Sequence, residues 1–201
     1  MDVVARLPMI LRTRRLVLRP PRHSDVDRYL EIFRDPQVVQ HLLLGETLQR
    51  EEVEVAIELE RMRFRRDGIG LFTIEHAGNG LVIGRAGLML WRTSPWRRVP
   101  FRDHNGDYEV ELGAVVAKAF WTGLYGLEAC HAVLDWAIND LRVPRVIGFA
   151  APDNPRAAAI SRSLGMHYAS DEFVGEQRRA LWVRESCHRD YSARGSGAAS
   201  D

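Results

Sequence analysis

The stretch FWTGLYGLEA, residues 120–129, decides how the rest of the chain is interpreted. It follows the apolar segment VELGAVV, which predicts a β-strand, and it leads into LEACHAVLDWAINDL, whose apolar residues recur at helical spacing. Glycines in such a turn let a ligand approach the backbone, and a helix start offers four free N–H groups and a partial positive charge. The pattern therefore predicts a strand, a tight turn and a helix that suit an anion such as phosphate.

Two well-known nucleotide-binding patterns do not match this turn. The chain has no GxxxxGK[ST] loop, and it has no GxGxxG followed some twenty residues later by an acidic residue. Strand-turn-helix junctions with two glycines are also common where no anion binds. The turn alone therefore leaves a purely structural role open.

The length of 201 residues suits one domain with a full hydrophobic core, whereas two domains of ordinary size would be crowded. We expect a single domain over residues 1–190. Residues 191–201 contain almost no bulky apolar side chains, which is typical of a disordered C-terminal tail.

Charge and cysteine content narrow the classes of function. With 28 basic and 27 acidic side chains the net charge is only +1, so neither nucleic acid nor a membrane is an expected partner. Cys130 and Cys187 form no disulfide framework, and no run approaches 18 apolar residues, which together favour a cytoplasmic protein. The seven histidines show no HExxH-type pairing, so we predict no metal.

The order of the remaining segments indicates a mixed α/β sheet. We predict a first strand at RLVLRP, a helix capped by Ser24, a second helix opened by Thr47, and a hairpin at AGNG. Residues 91–107 are predicted to form an irregular loop before the strand YEVELGAVV. The complete order βααβββαβαββ combines an antiparallel first half with later strands linked by helices.

Several ordered blocks together resemble one family. The blocks are TRRLVLRP, DPQVV, IGRAGL, VELGAVV, FWTGLYGLEA, RVPRVIGFAAPDN and SLGM. They resemble the GNAT superfamily of acetyl-CoA-dependent N-acetyltransferases, and within it the branch that acetylates ribosomal-protein alanine and serine N-termini. The resemblance implies a mostly antiparallel, twisted sheet with helices on both faces and two splayed central strands.

The resemblance also implies where acetyl-CoA binds. Val115 and Val116 would contact the pantetheine arm, and the turn and helix start would hold the pyrophosphate through Trp121, Thr122, Gly123, Leu124, Tyr125 and Gly126. Relatives usually have W-G-x-G-x-A here, and this chain has Thr122 and Leu124 in place of the two glycines. Each replacement keeps a backbone N–H, so binding survives if the backbone angles allow a non-glycine residue.

Amide formation requires a neutral amine and a group that accepts its proton. Glu111 is the candidate base, since it lies on the strand expected to line the cleft and shares a face with Glu109. Two carboxylates on one face attract a cationic amine and raise each other's pKa. The alternative is that both are ordinary solvated strand residues.

Many GNAT enzymes place a tyrosine seven residues after the Asn of the PDN-like turn, and that count from Asn154 reaches Ser161. The serine hydroxyl is a candidate to hydrogen-bond the departing sulfur or to relay a proton from water. A helix serine that only bonds the preceding turn is the alternative. The resemblance gives Asn154 the role of anchoring the turn or reaching the cofactor.

Three hypotheses about function remain open from the sequence. The first is an N-acetyltransferase that acts on a protein N-terminus, the second is the same chemistry on a small amine, and the third is an acyl-CoA-binding module without turnover. Four arginines in residues 91–107, namely Arg92, Arg97, Arg98 and Arg102, suggest an acidic acceptor, although a solvated loop explains them equally well. A homodimer is also left open.

Overall fold

The computed structural model describes residues 10–42, 47–93, 95–103 and 107–186. The strands are β1 Leu11–Arg12, β2 Leu16–Arg19, β3 Leu71–His76, β4 Val82–Thr93, β5 Trp96–Val99, β6 Glu109–Val116, β7 Arg145–Ala150, β8 His167–Val174 and β9 Gln177–Glu185. The helices are α1 Val26–Phe33, α2 Pro36–Val39, α3 Arg50–Asp67, α4 Tyr125–Asp135 and α5 Pro155–Ser163. The predicted tail, residues 191–201, lies outside the described residues, and the single domain over residues 1–190 stays a prediction.

The strands form one sheet in the order β1-β2-β3-β4-β6-β7-β9-β8, and β5 pairs with the end of β4 as a hairpin. Within the described residues, β6 and β7 are the single parallel pair. The predicted mixed and mostly antiparallel sheet is therefore confirmed.

Helices cover both faces of this sheet, as two consecutive residues of β3 show. The Phe72 ring packs edge-on against Trp136 after α4, with centroids 5.2 Å apart. The next residue, Thr73, bonds the hydroxyl of Tyr29 on α1 at 2.8 Å. Because successive strand residues point to opposite faces, α1 and α4 lie on opposite sides of the sheet. Among the described residues no helix is long and apolar enough to cross a bilayer.

The predicted start of the first helix is wrong by one residue and that of the second by three. Asp25, not Ser24, precedes α1, because residues 23–25 form a 3-10 turn in which the Asp25 carboxylate accepts the Arg22 N–H, and the same carboxylate pairs with the buried Arg19. The second helix begins at Arg50 instead of Thr47. There the Glu52 carboxylate reaches back to the Gln49 N–H, a capping arrangement that fixes the helix start.

The irregular loop predicted for residues 91–107 is wrong in its first half. Strand β4 continues to Thr93 and turns back into β5, with Trp91 opposite Arg98. Trp91 is fully buried, and Trp96 packs edge-on against Phe149 at 5.1 Å. Burial of two aromatic rings stabilises a hairpin that the charged composition of the segment concealed.

The two parallel strands diverge after a short contact, and this divergence positions the site. The register joins only Val110 with Val146 and Glu111 with Ile147. Beyond that point residues 112–116 of β6 stay paired with β4, whereas β7 continues along β9. The predicted splayed central strands are present, with Glu111 at the point of divergence.

Candidate active site

The backbone of β6 offers free groups along the open side of the splay. The Ala117 N–H donates to the Ile83 carbonyl at 2.8 Å, which makes Val116 and Gly84 a non-hydrogen-bonded pair of the antiparallel ladder. Val115 therefore directs its N–H and carbonyl toward β4. The groups that face the open side belong to Ala114 and Val116, so we add Ala114 to the candidate contacts, and the contact that the resemblance implies for Val115 would use its side chain.

Trp121 closes one end of this open edge. Its indole N–H donates to the Val116 carbonyl at 2.7 Å, which leaves the Val116 N–H toward the splay. The guanidinium of Arg156, in the first turn of α5, lies 4.4 Å from the centroid of the Trp121 ring. This contact joins the turn before α4 to the start of α5, and it places a cation beside the predicted pyrophosphate site.

Leu124 is the residue that shapes the start of α4. Its φ of 57° and ψ of 21° lie in the left-handed region, which normally favours glycine. The first helical bond runs from the Glu128 N–H to the Leu124 carbonyl at 3.0 Å, and Leu124 has no side-chain oxygen that could cap the helix. The N–H groups of residues 125–127 therefore remain available to an anion, which fits a pyrophosphate.

Gly123 and Gly126 keep this turn close to its neighbours. A Cβ on Gly123 would overlap the ring of Tyr125, and one on Gly126 would lie 3.3 Å from a methyl group of Val116. The Tyr125 ring itself packs against His76 and stacks under the Arg15 guanidinium at 4.3 Å. Thr122 is exposed. Leu124 thus adopts a conformation that glycine adopts readily, and a side chain at Gly123 would have to displace the Tyr125 ring.

Glu111 is buried, with 8% of its surface exposed, which contradicts the alternative of a solvated strand carboxylate. The indole N–H of Trp91 donates to its Oε2 at 2.6 Å. Burial raises the pKa of Glu111 to about 7, against the opposing effects of the Trp91 hydrogen bond, the Arg98 charge and the Phe149 backbone N–H. A carboxyl with this pKa exchanges a proton near neutral pH, as a general base must.

Glu109 has a different environment although it lies on the same strand. Its carboxylate pairs with the Arg145 guanidinium. The two acidic residues therefore differ: Glu109 is neutralised by an arginine, and Glu111 is the one of the two that is buried.

The structure places Ser161 and Asn154 on α5. Ser161 is buried at 9% exposure, and no hydrogen bond joins it to Glu111 in the part of the chain that the structure describes. Asn154 caps α5, since its Oδ1 accepts the Ala157 N–H at 3.0 Å. Its predicted role of anchoring the turn therefore has a direct contact behind it.

An open cavity of about 470 Å³ has Trp91, the hydrogen-bond donor to Glu111, in its wall. Its walls are the β4–β5 hairpin, with Trp91, Trp96, Arg97 and Arg98, and residues 174–177 between β8 and β9. Trp91 lines this cavity and also donates to Glu111, so one side chain connects the cavity with the buried carboxyl, which does not itself line the cavity. We call this cavity the acceptor pocket.

Residues 15–167 match the family described as the acetyltransferase (GNAT) domain, and this match covers most of the chain. The chain belongs to the GNAT acetyltransferase family. It is an acyltransferase, and the family's reaction is acetyl transfer from acetyl-CoA to an amine.

Solved GNAT structures share the fold at low sequence identity. An acetyltransferase from Agrobacterium tumefaciens strain C58 has 21% identity and a TM-score of 0.70, with 92% of this chain and 99% of that chain covered. RimL, a ribosomal L7/L12 α-N-protein acetyltransferase solved with coenzyme A, has 12% identity and a TM-score of 0.69, covering 88% and 98%. A spermidine N-acetyltransferase SpeG chimera from Vibrio cholerae and hSSAT has 15% identity and a TM-score of 0.63, covering 85% and 95%. Their named acceptors differ, so the likeness establishes the fold and leaves the acceptor open.

Proposed function

We propose that this GNAT enzyme transfers acetyl from acetyl-CoA to the α-amino group of a protein N-terminus, by direct attack within a ternary complex. The observation that carries the proposal is the buried Glu111 carboxyl, whose pKa is raised to about 7 where β6 and β7 diverge beside the acceptor pocket. The cytoplasm stays the predicted compartment.

The acetyl-CoA site follows from the free backbone groups. The pantetheine arm would lie along β6 against the N–H and carbonyl of Ala114, the N–H of Val116 and the side chain of Val115. The pyrophosphate would bind the N–H groups at the start of α4, across the turn that runs from Trp121 to Gly126. Arg156 would add a positive charge at that end.

Glu111 accounts for the preference for an α-amino group. At pH 7 an α-amino group with a pKa near 7.8 needs only about 1 kcal/mol to lose its proton, whereas an alkyl amine with a pKa near 10.4 needs about 4.6 kcal/mol. A carboxyl with a pKa of about 7 is well matched to the first and poorly matched to the second. Glu111 therefore suits a protein N-terminus better than a polyamine.

The amine nitrogen forms a bond to the thioester carbon, the carbon–sulfur bond breaks, and the products are the acetylated amine and the CoA thiol. Glu111 accepts the proton that the amine loses, directly or through water. Ser161 donates a hydrogen bond to the departing sulfur or relays a proton to it, and Asn154 caps the N-terminus of α5, the helix that carries Ser161.

Acetylation of a small amine is the second candidate. The similarity to the spermidine N-acetyltransferase chimera favours it. The acceptor pocket opposes a polyamine in particular, because Arg97 and Arg98 in its wall would repel a polycation.

An acceptor panel tests these candidates. CoA thiol release is followed at fixed acetyl-CoA with peptides that have free N-termini, the same peptides with blocked N-termini, free amino acids and spermidine. We expect turnover with the free peptides and none with the blocked ones. Turnover of spermidine alone would overturn the proposed acceptor. Tight CoA binding without turnover of any acceptor would favour an acyl-CoA-binding module over an amine acetyltransferase.

A further inference from the structure

The acceptor pocket carries two arginines whose charge is weakly compensated. The Arg98 side chain is 34% exposed, and its hydrogen bond to the buried Glu60, at 3.2 Å, is at the upper end of the usual range. Arg97 is exposed, and within the described ranges it forms no ion pair. Both guanidinium groups are therefore available to a ligand in the pocket.

The wall behind Arg98 holds more cations than its carboxylate can satisfy. Glu60 is buried, and its Oε1 already serves Arg63 as well as Arg98, while its Oε2 accepts the Leu71 N–H at 2.9 Å. Arg85 lies on β4, with its guanidinium 4.5 Å from the Phe33 ring centroid. Its Nε is buried and has no hydrogen-bond partner among the residues that the structure describes.

Arg179 adds a further positive charge near the pocket, since it donates to Gln177 in the pocket wall. Two of its nitrogens donate to the carbonyls of His41 and Leu42 and to Gln177, but its Nε is buried without a partner in the described part of the chain. A buried guanidinium N–H without an acceptor costs free energy. Neither Arg85 nor Arg179 lines the pocket, so the two residues act on it through their charge alone.

The acidic groups nearby offset these charges only in part, with Asp153 and Glu111 acting on Arg179. Glu172 is engaged with the Trp96 indole at 2.9 Å and with Ser170. Glu176 is exposed in the turn at the edge of the pocket. The charges of Arg98 and Arg179 both act on Glu111, so the positive region lies within reach of the group that is to receive the proton.

We propose that the acceptor carries a carboxylate within a few bonds of its reactive amine, and that Arg98 and Arg97 bind this carboxylate in the acceptor pocket while the amine faces Glu111. The inference rests on the proposed function and names its substrate class. A peptide with an acidic side chain at its second residue carries both groups. Every free α-amino acid also carries a carboxylate two bonds from its amine, and free aspartate has a second one in its side chain.

The test compares two peptides of equal length that begin Ser-Asp and Ser-Asn, together with free aspartate and spermidine. We expect kcat/KM to be about 10- to 100-fold higher for the Ser-Asp peptide, the range that one charge-assisted hydrogen bond provides. Arg98→Gln should remove most of that difference, and Arg98→Lys should restore part of it. Arg97→Gln is an independent second variant, since Arg97 has no ion pair in the described structure whose loss could disturb folding.

Arg12→Gln is the matched control, because Arg12 is exposed on the distant edge strand β1 and should leave the peptide preference unchanged. Equal kcat/KM for the two peptides, or an Arg98→Gln enzyme that keeps the preference, would overturn the inference while leaving the proposed function intact. Faster turnover of aspartate than of any peptide would keep the carboxylate but assign it to a small molecule. No thiol release with any acceptor would overturn the proposed function itself.

Discussion

The left-handed backbone conformation of Leu124 lowers the free energy of unfolding relative to a glycine at that position, and Leu124→Gly measures the difference. An L-residue in the left-handed region costs about 1 to 2 kcal/mol, and a glycine in its place costs about 0.5 to 1 kcal/mol through the entropy of the unfolded chain. The side chain is 63% exposed, so its removal loses little buried apolar surface. The net change in the free energy of unfolding is a stabilisation of about 0.5 to 1 kcal/mol.

Thermal unfolding provides the assay. For a domain of this size, we expect Leu124→Gly to raise Tm by about 1 to 4 °C, and Leu124→Ala, which keeps a Cβ, to give no such increase. Leu81→Gly is the matched control, because Leu81 is also partly exposed, at 37%, and its φ lies outside the left-handed region. A decrease in Tm for Leu124→Gly that equals the decrease for Leu81→Gly would refute the reasoning.

Two further predictions concern the same site. Gly123→Ala should weaken CoA binding about tenfold by calorimetry, because the new methyl group displaces the Tyr125 ring and shifts the N–H groups of the turn; unchanged affinity would show that this turn does not hold the cofactor. Trp91→Phe removes a hydrogen bond to the charged form of Glu111, so the inflection in kcat against pH should move upward by about one to two units. A downward shift would contradict the assignment of Glu111 as a base.

Apolar patterning was sufficient to predict most of the fold. Strand β6 and helix α4 came directly from alternation and from helical spacing, and the resemblance to GNAT enzymes supplied the splay between β6 and β7. The start of α1 was missed because Asp25 forms a buried contact with Arg19, a tertiary interaction that no local pattern contains. The start of α3 was missed although its capping contact, between Gln49 and Glu52, is local. The hairpin of β4 and β5 was missed because a contact that stabilises it, Trp96 against Phe149, is also tertiary.

The candidate site was predicted in part. Glu111 was identified from its strand position, but its burial and its hydrogen bond to Trp91 depend on residues twenty positions apart in sequence. Ala114 was not among the predicted contacts, because the side of the ladder on which a backbone group lies depends on register with β4. Arg156 was not predicted beside the turn, because its contact with the Trp121 ring joins the turn before α4 to the start of α5, which is distant in the chain.

The central claim is that Glu111 accepts the proton of the acceptor amine, and the dependence of kcat on pH in Glu111→Gln tests it most directly. At saturating acetyl-CoA and acceptor peptide, kcat of the wild-type enzyme should rise with pH through an inflection near 7, since the carboxyl must be deprotonated to act. Glu111→Gln should lower kcat by about 10² to 10⁴ and remove that inflection, with CoA affinity unchanged. A variant that kept both the wild-type kcat and the inflection would contradict the account.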